Sequence, residues 1–291
     1  MSRARIATAL ATLGLVLGVS ACGNDSGGGA DKDGAAGAGS SATPKARAVQ
    51  DAYRKTVAAD SARMTVTSEA VTEGQKVTAH GNGVVDLKDG ASTMTVTSQG
   101  NRIEQRVVDG VLYQKPSGSR RAELPGGKSW MRIDLKRLAR SGSAGRTDAS
   151  DPAEPIGYVK SVRPGDVTRI GEETVDGAAT THYRVNVPVS ALAKGDTAQA
   201  QELSRQLGST KLPVDLWLDD QGRMRQESVR MSLKPLAQRT PGKENTRVTS
   251  TTVLKFSDFG TDVEVTPPAA ADTADVTDKL VKSGGSTAQS G

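Results

Sequence analysis

The residue in this chain best placed to do chemistry is its only cysteine, Cys22. In Val19-Ser20-Ala21-Cys22 an aliphatic residue and two small residues stand directly before the thiol, which is the spacing of a lipobox. The motif follows Arg3, Arg5 and an uncharged, mostly apolar run from Ile6 to Val19. A basic end, an apolar stretch too short to span a bilayer and a small-residue cleavage site are the parts of a secretory signal. A thiol is needed at that point because a thioether to diacylglycerol forms before the chain is cut, and small neighbours let the segment enter a peptidase groove. A single cysteine also excludes an intramolecular disulfide in an oxidising compartment. The expectation is a signal over residues 1–21 and a diacylglycerol anchor on Cys22, holding the chain to the extracytoplasmic face of a cell membrane.

The other chemistry-bearing residue types do not assemble into a catalytic pattern. His80 and His182 fall in predicted strands, without a second ligand-type residue at metal spacing. Neither Gly-x-Ser-x-Gly nor Ser-x-x-Lys occurs. Glu172-Glu173 and Asp219-Asp220 are adjacent, so in a strand each pair points to opposite faces and reads as edge and turn charge. No catalytic residue, cofactor or metal is expected. The formal charge of +5 falls to about +3 once Arg3 and Arg5 leave with the signal. Lys136, Arg137 and Arg140 form one compact basic cluster, read either as a solvated loop beside a strand or as a contact for anionic headgroups near the anchor. The export signal, with few aromatic residues to stack bases, excludes nucleic acid as a partner.

The elements that would position an apolar site are legible in the periodicity. Residues 22–43 are a Gly/Ala/Ser/Asp tether with a reach of about 25 Å. Residues 44–266 are long enough for one domain with a real core. Residues 267–291 read as a flexible tail, with Val276, Leu280 and Val281 marking at most one weak helix. Within the domain, Val49, Ala52, Tyr53 and Val57 recur at helical spacing over residues 45–59. From Arg63 the period becomes two, and Gly74-Gln75, Lys88-Asp89-Gly90, Gly100-Asn101 and Asp109-Gly110 supply turns, so Met64 to Tyr113 predicts an antiparallel meander. A strand follows from Trp130 to Leu135. Asp151-Pro152-Ala153-Glu154 is a helix-start signal, with Ile156, Val159 and Val162 facing inward. Strands are predicted at Val167–Val175 and Thr180–Val187, a helical region at Ser190–Leu207, and three closing strands at Val214–Leu218, Met224–Leu233 and Arg247–Phe256.

The order of these elements carries a family resemblance. With Val107-Val108-Asp109-Gly110-Val111-Leu112-Tyr113, Pro125-Gly126-Gly127-Lys128-Ser129-Trp130, Asp176-Gly177 before Thr181-His182-Tyr183, and Leu216-Trp217-Leu218-Asp219-Asp220-Gln221-Gly222-Arg223, it resembles the actinobacterial lipoproteins of the LppX and LprG type over nearly all of Ala46 to Val265. The resemblance implies an α+β, LolA-like fold: a strongly curved antiparallel sheet, an open half-barrel, wrapped around a few helices with an apolar cavity. It implies a carrier of a lipid or lipoglycan in the cell envelope, working with the membrane and with a membrane transporter as partner.

From the residues themselves, the apolar faces of the predicted strands give the candidate lining: Met64, Val66, Met94, Val96, Val214, Leu216, Leu218, Val229 and Met231. Each methylene moved out of water there contributes about 0.8 kcal/mol, so two long tails supply ample driving force without any catalytic group. Methionine adapts to varied ligands. The alternative expectation is an envelope interaction or sensory lipoprotein that uses the same fold to bind a membrane-protein partner without cargo.

Overall fold

Pro44 starts the first helix at the position where its missing N–H costs nothing, and α1 runs Pro44–Val57. Ala46, Val49, Ala52 and Thr56 form its buried stripe, close to the expected one. The computed structural model describes residues 43–72, 74–117, 124–140, 158–160, 162–193, 196–234 and 247–285. The expected signal, the tether and most of the helix beginning at Asp151 lie outside the described residues.

After α1 the chain enters a single 12-stranded sheet. The meander is β1 Ser61–Thr72, β2 Gln75–Asp86, β3 Ser92–Ser98, β4 Asn101–Val108 and β5 Val111–Lys115, followed by β6 Trp130–Asp134. The second set is β7 Val167–Val175, β8 Ala178–Pro188, β9 Lys211–Asp219, β10 Met224–Leu233 and β11 Val248–Ser257, with β12 Thr273–Asp275 near the C-terminus. Their spatial order is β12-β6-β5-β4-β3-β2-β1-β11-β10-β9-β8-β7. The sheet is open, and the two halves join where β11 pairs antiparallel with β1, Met64 opposite Phe256 and Val66 opposite Leu254. Every pairing is antiparallel except β12 with β6. Hairpin turns sit where the dipeptides put them: Asp109-Gly110 and Asp176-Gly177 have φ values of 53° and 76°, and of 49° and 82°. Two consecutive positive φ values twist a tight turn with its strands.

The core shows why the sheet must curl. Val85 of β2, Ala62 of β1, Leu254 of β11, Val229 of β10, Leu216 of β9, Val185 of β8 and Val167 of β7 all join one buried cluster with Ala46, Val49 and Ala52 of α1. Seven flat strands would be about 29 Å across, whereas a helix with its side chains is only about 10–12 Å thick. One helix can share a cluster with strands that far apart only if the sheet folds over it. Val159 and Val162 add to the cluster, and Gln50 Nε2 donates to Val162 O at 2.7 Å. The other end of α1 is tied to β10: Met224 N donates to the buried Thr56 Oγ1 at 2.9 Å. The fold is therefore α+β, with an open, mostly antiparallel sheet around helix, as expected.

Three expectations are corrected. The strand expected to reach Leu135 ends at Asp134, and the basic cluster sits on a helix, α2 Leu135–Arg140, where Asp134 Oδ1 caps Arg137 N at 2.8 Å. The helical region at Ser190–Leu207 is two helices, α3 Val189–Leu192 and α4 Thr197–Leu207, because Asp196 begins the second by accepting from Gln199 N. The segment expected as a flexible tail is clamped as far as residue 285. Ser129 N donates to Asp272 O, β12 lies along β6, and α5 Thr277–Gly285 follows. Ala274 is buried there, and Thr277 Oγ1, also buried, accepts from Asp134 N at 3.0 Å. Pairing of Arg132 with Asp275 and of Arg137 with Asp278 adds to the clamp.

Candidate lipid-binding face

The inner face is built from cross-strand partners, which share a side of the sheet. Met64 of β1 stands opposite Gly83 of β2, and Gly83 opposite Met94 of β3; in the next row Val66, Gly81 and Val96 line up in the same way. Glycine at both β2 positions leaves the middle strand without side chains between two apolar ones. At Gly81 an added Cβ would lie 3.0 Å from Met94 Sδ and 3.5 Å from Val96 Cγ2. At Gly83 it would lie 2.0 Å from Thr93 O and 2.8 Å from Met94 Cα, which no side chain can occupy. Inner-face positions converge so closely only where a sheet bends sharply, and glycine is the residue that permits such a corner.

The nine residues expected to line a ligand site lie on this face, in three environments. Val214, Leu216, Leu218 and Val229 are fully within the core cluster. Met64, Val66 and Met231 are half-buried and pack against it. Met94 and Val96 lie beyond the cluster, half-buried across the Gly81–Gly83 gap. The stripe continues through Ile103 of β4, opposite Val96, and reaches Met131 of β6, where Gln114 is its partner on β5. The apolar face is thus packed against α1 on the β7–β11 side and partly open from β1 to β6.

One residue on this face was not read from the sequence. Glu227 of β10 pairs with Leu254 on one side and Leu216 on the other, and it is 4% exposed. Burial pushes its carboxyl up to about 8, against a lowering influence from Tyr158. Tyr158 is held well above the ordinary phenol range, by burial first and then by Glu227. The two stand within hydrogen-bonding reach of each other, and neither Tyr158 Oη nor Glu227 Oε2 has any other partner. The only signal available beforehand was parity, since Glu227, Val229 and Met231 alternate on one side of the strand.

The outer face of β7–β9 carries a satisfied polar network instead. His182, 7% exposed, stacks on Trp217 with ring centroids 4.2 Å apart. Its Nδ1 faces Glu173 Oε1 at 2.8 Å and its Nε2 faces Asp215 Oδ1 at 3.0 Å. Trp217 Nε1 donates to Glu173 Oε2 at 2.8 Å, and Arg184 forks onto Asp215. Hydrogen bonds from Trp217 and His182 hold Glu173 below its usual range. Burial pushes Asp215 up, but Arg184 and His182 outweigh it, and the net shift is downward. Glu173 is therefore a network member rather than plain edge charge, and Asp219 is a buried turn cap whose Oδ1 accepts from Arg223 N. An open cavity of about 340 Å³ beside the network is lined by Glu172, Glu173, Thr180 and Asp220 among others. Ala179 and Leu218 complete a lining of mixed polarity. Among the described residues no three His, Cys, Asp or Glu side chains are placed to hold a metal ion, and no helix is long and apolar enough to cross a membrane.

No protein-family profile matches the chain. It is 33% identical over 272 residues, covering 85% of the chain and 84% of the relative, to an uncharacterised 31.2 kDa protein of the rplA–rplJ intergenic region of Streptomyces griseus. It is 29% identical over 258 residues, covering 83% and 78%, to a protein of Streptomyces coelicolor whose name marks it provisionally as a lipoprotein. Among solved structures it is similar to the Mycobacterium tuberculosis lipoprotein LppX, at 14% identity and a TM-score of 0.46, over 76% of this chain and 99% of that one.

Proposed function

The chain belongs to the family of the Streptomyces griseus 31.2 kDa protein, and from that premise we propose that it is a lipid-anchored carrier of a hydrophobic ligand in the cell envelope. Cys22 carries the diacylglycerol, residues 1–21 are removed, and residues 22–43 tether the domain close to the membrane. The ligand is an acyl-chain lipid or lipoglycan, held against the inner face and passed on without chemical change.

The observation that carries this reading is the half-open apolar stripe from β1 to β3. Met64, Val66, Met94 and Val96 stay half-buried where β2 carries glycine, with the Met94 thioether lying against Gly81. The exposed part of these four side chains forgoes apolar burial in the free protein, at about 25 cal/mol for each Å². A tail laid over it would recover that burial. The polar groups of the outer face are already mutually satisfied and offer such a ligand nothing.

Native mass spectrometry of the full chain purified from its own membranes tests both parts. The expected result is a covalent diacylglycerol increment on a chain beginning at Cys22, together with a dissociable lipid of defined mass. A chain bearing the anchor but no second lipid would refute the carrier reading and favour the partner-binding one, while an unmodified Cys22 would refute the anchor.

A further inference from the structure

The row of the sheet that contains Val66 and Val96 leads to a polar pair buried in the apolar interior, Glu227 and Tyr158. Val96, Gly81, Val66, Leu254, Glu227 and Leu216 are successive cross-strand partners on β3, β2, β1, β11, β10 and β9. Gly81 and Glu227 are three strand spacings apart, about 14 Å. At one end the row is apolar, with Val96 and Val66 half-buried on either side of the buried Gly81. At the other, Glu227 Oε2 and Tyr158 Oη are buried side by side with no partner other than each other.

Burying two polar groups with no partner but each other costs desolvation that an apolar pair of the same shape would avoid. A carrier for plain hydrocarbon has no use for them. Both groups can donate, since a phenol always carries its proton at neutral pH and a carboxyl pushed up to about 8 keeps most of its own. Two hydroxyl donors converging in an apolar wall suit a carbonyl oxygen, and an ionised carboxylate would meet a neighbour able to ionise against it.

We propose that Glu227 and Tyr158 receive the ester carbonyl of an acylated ligand whose tail lies along the Leu254, Val66, Gly81 and Val96 row. This rests on the carrier reading and adds its chemical class: the ligand is an acyl ester, recognised at the linkage between tail and head rather than by the head itself. Glu227 and Tyr158 are binding residues, and no bond is made or broken.

The test offers the full chain vesicles of dialkyl ether phosphatidylcholine, which brings no ester carbonyl of its own, doped with equal amounts of dipalmitoylglycerol and its dialkyl ether counterpart, which has the same tails but no carbonyl. Protein-bound lipid is then quantified by mass spectrometry. The wild-type chain is expected to load the ester about tenfold over the ether. The double variant Tyr158→Phe, Glu227→Leu keeps the shape of the wall, and it should load both equally. Tyr158→Phe alone, the mildest change, should reduce the preference about threefold. Equal loading of both lipids by the wild-type chain would overturn this inference while leaving the carrier reading intact, and so would a preference that survives in the double variant. Loading of neither lipid would overturn the carrier reading itself, and this inference with it.

Discussion

Glu227 has a measurable consequence even without ligand. Its carboxyl titrates at about 8 in the folded chain, against 4.5 for the free side chain. Between those values the folded state keeps a proton that the unfolded chain has released, so this group's contribution to stability is full below about pH 4.5 and is lost as pH rises through 8. Glu227→Gln removes the titration and keeps the shape. Urea midpoints of the two proteins should run close together near pH 4.5 and separate in favour of the variant by about 4 kcal/mol at pH 8 and above. A difference that does not change with pH would mean that the carboxyl is not buried as described. Glu227 escaped the sequence reading because an acid within a strand is ordinarily solvent-facing, and only its shared parity with Val229 and Met231 said otherwise. His182 is the converse case. Its type was plain in the sequence, but Glu173 and Asp215, which fix its ring, come from β7 and β9 and could not be assigned to it without the pairing.

Among the elements, β2 sets the shape of the site. Gly83→Ala drives a methyl into Thr93 O and Met94 Cα, both backbone atoms that cannot move aside, and should cost about 3 kcal/mol or more. Gly81→Ala meets only the flexible end of Met94 and should cost less than about 1 kcal/mol. Chemical denaturation of the two variants would compare them directly, and equal losses would remove the corner from this account. Most strands were legible, because alternation along Met64–Ser68 and Met94–Val96 and the Asp-Gly turns specify a meander locally. Gly81 and Gly83 were not, since a glycine in a strand is read as a weak point until its neighbours are known. The C-terminal clamp was missed for a different reason. β12 is three residues long and pairs parallel with β6, from which it is separated by more than a hundred residues, so no turn dipeptide announces it.

For the whole molecule, periodicity and turns pointed to antiparallel strands with helices, and the family resemblance implied that one sheet would wrap them, but neither set the order of the strands. The join of β11 to β1 brings the two halves into one surface, and this long-range pairing puts Glu227 in the same row as Val66 and Val96. Curvature follows from the same join, because α1 must serve strands from β2 to β7 at once. A carrier then needs only that the half of the sheet beyond α1 remain partly open, and the half-buried Met94, Val96 and Ile103 meet that need. The most direct measurement is photo-crosslinking with an acyl lipid bearing a diazirine near the tail end, followed by mapping of the adducts. Adducts should fall on β1, β2 and β3 around Val66, Gly81, Met94 and Val96, and Val96→Trp should abolish them without unfolding the chain. Adducts confined to the outer face of β7–β9, or equally abundant in Val96→Trp, would contradict the claim that the inner face of β1–β3 holds the lipid.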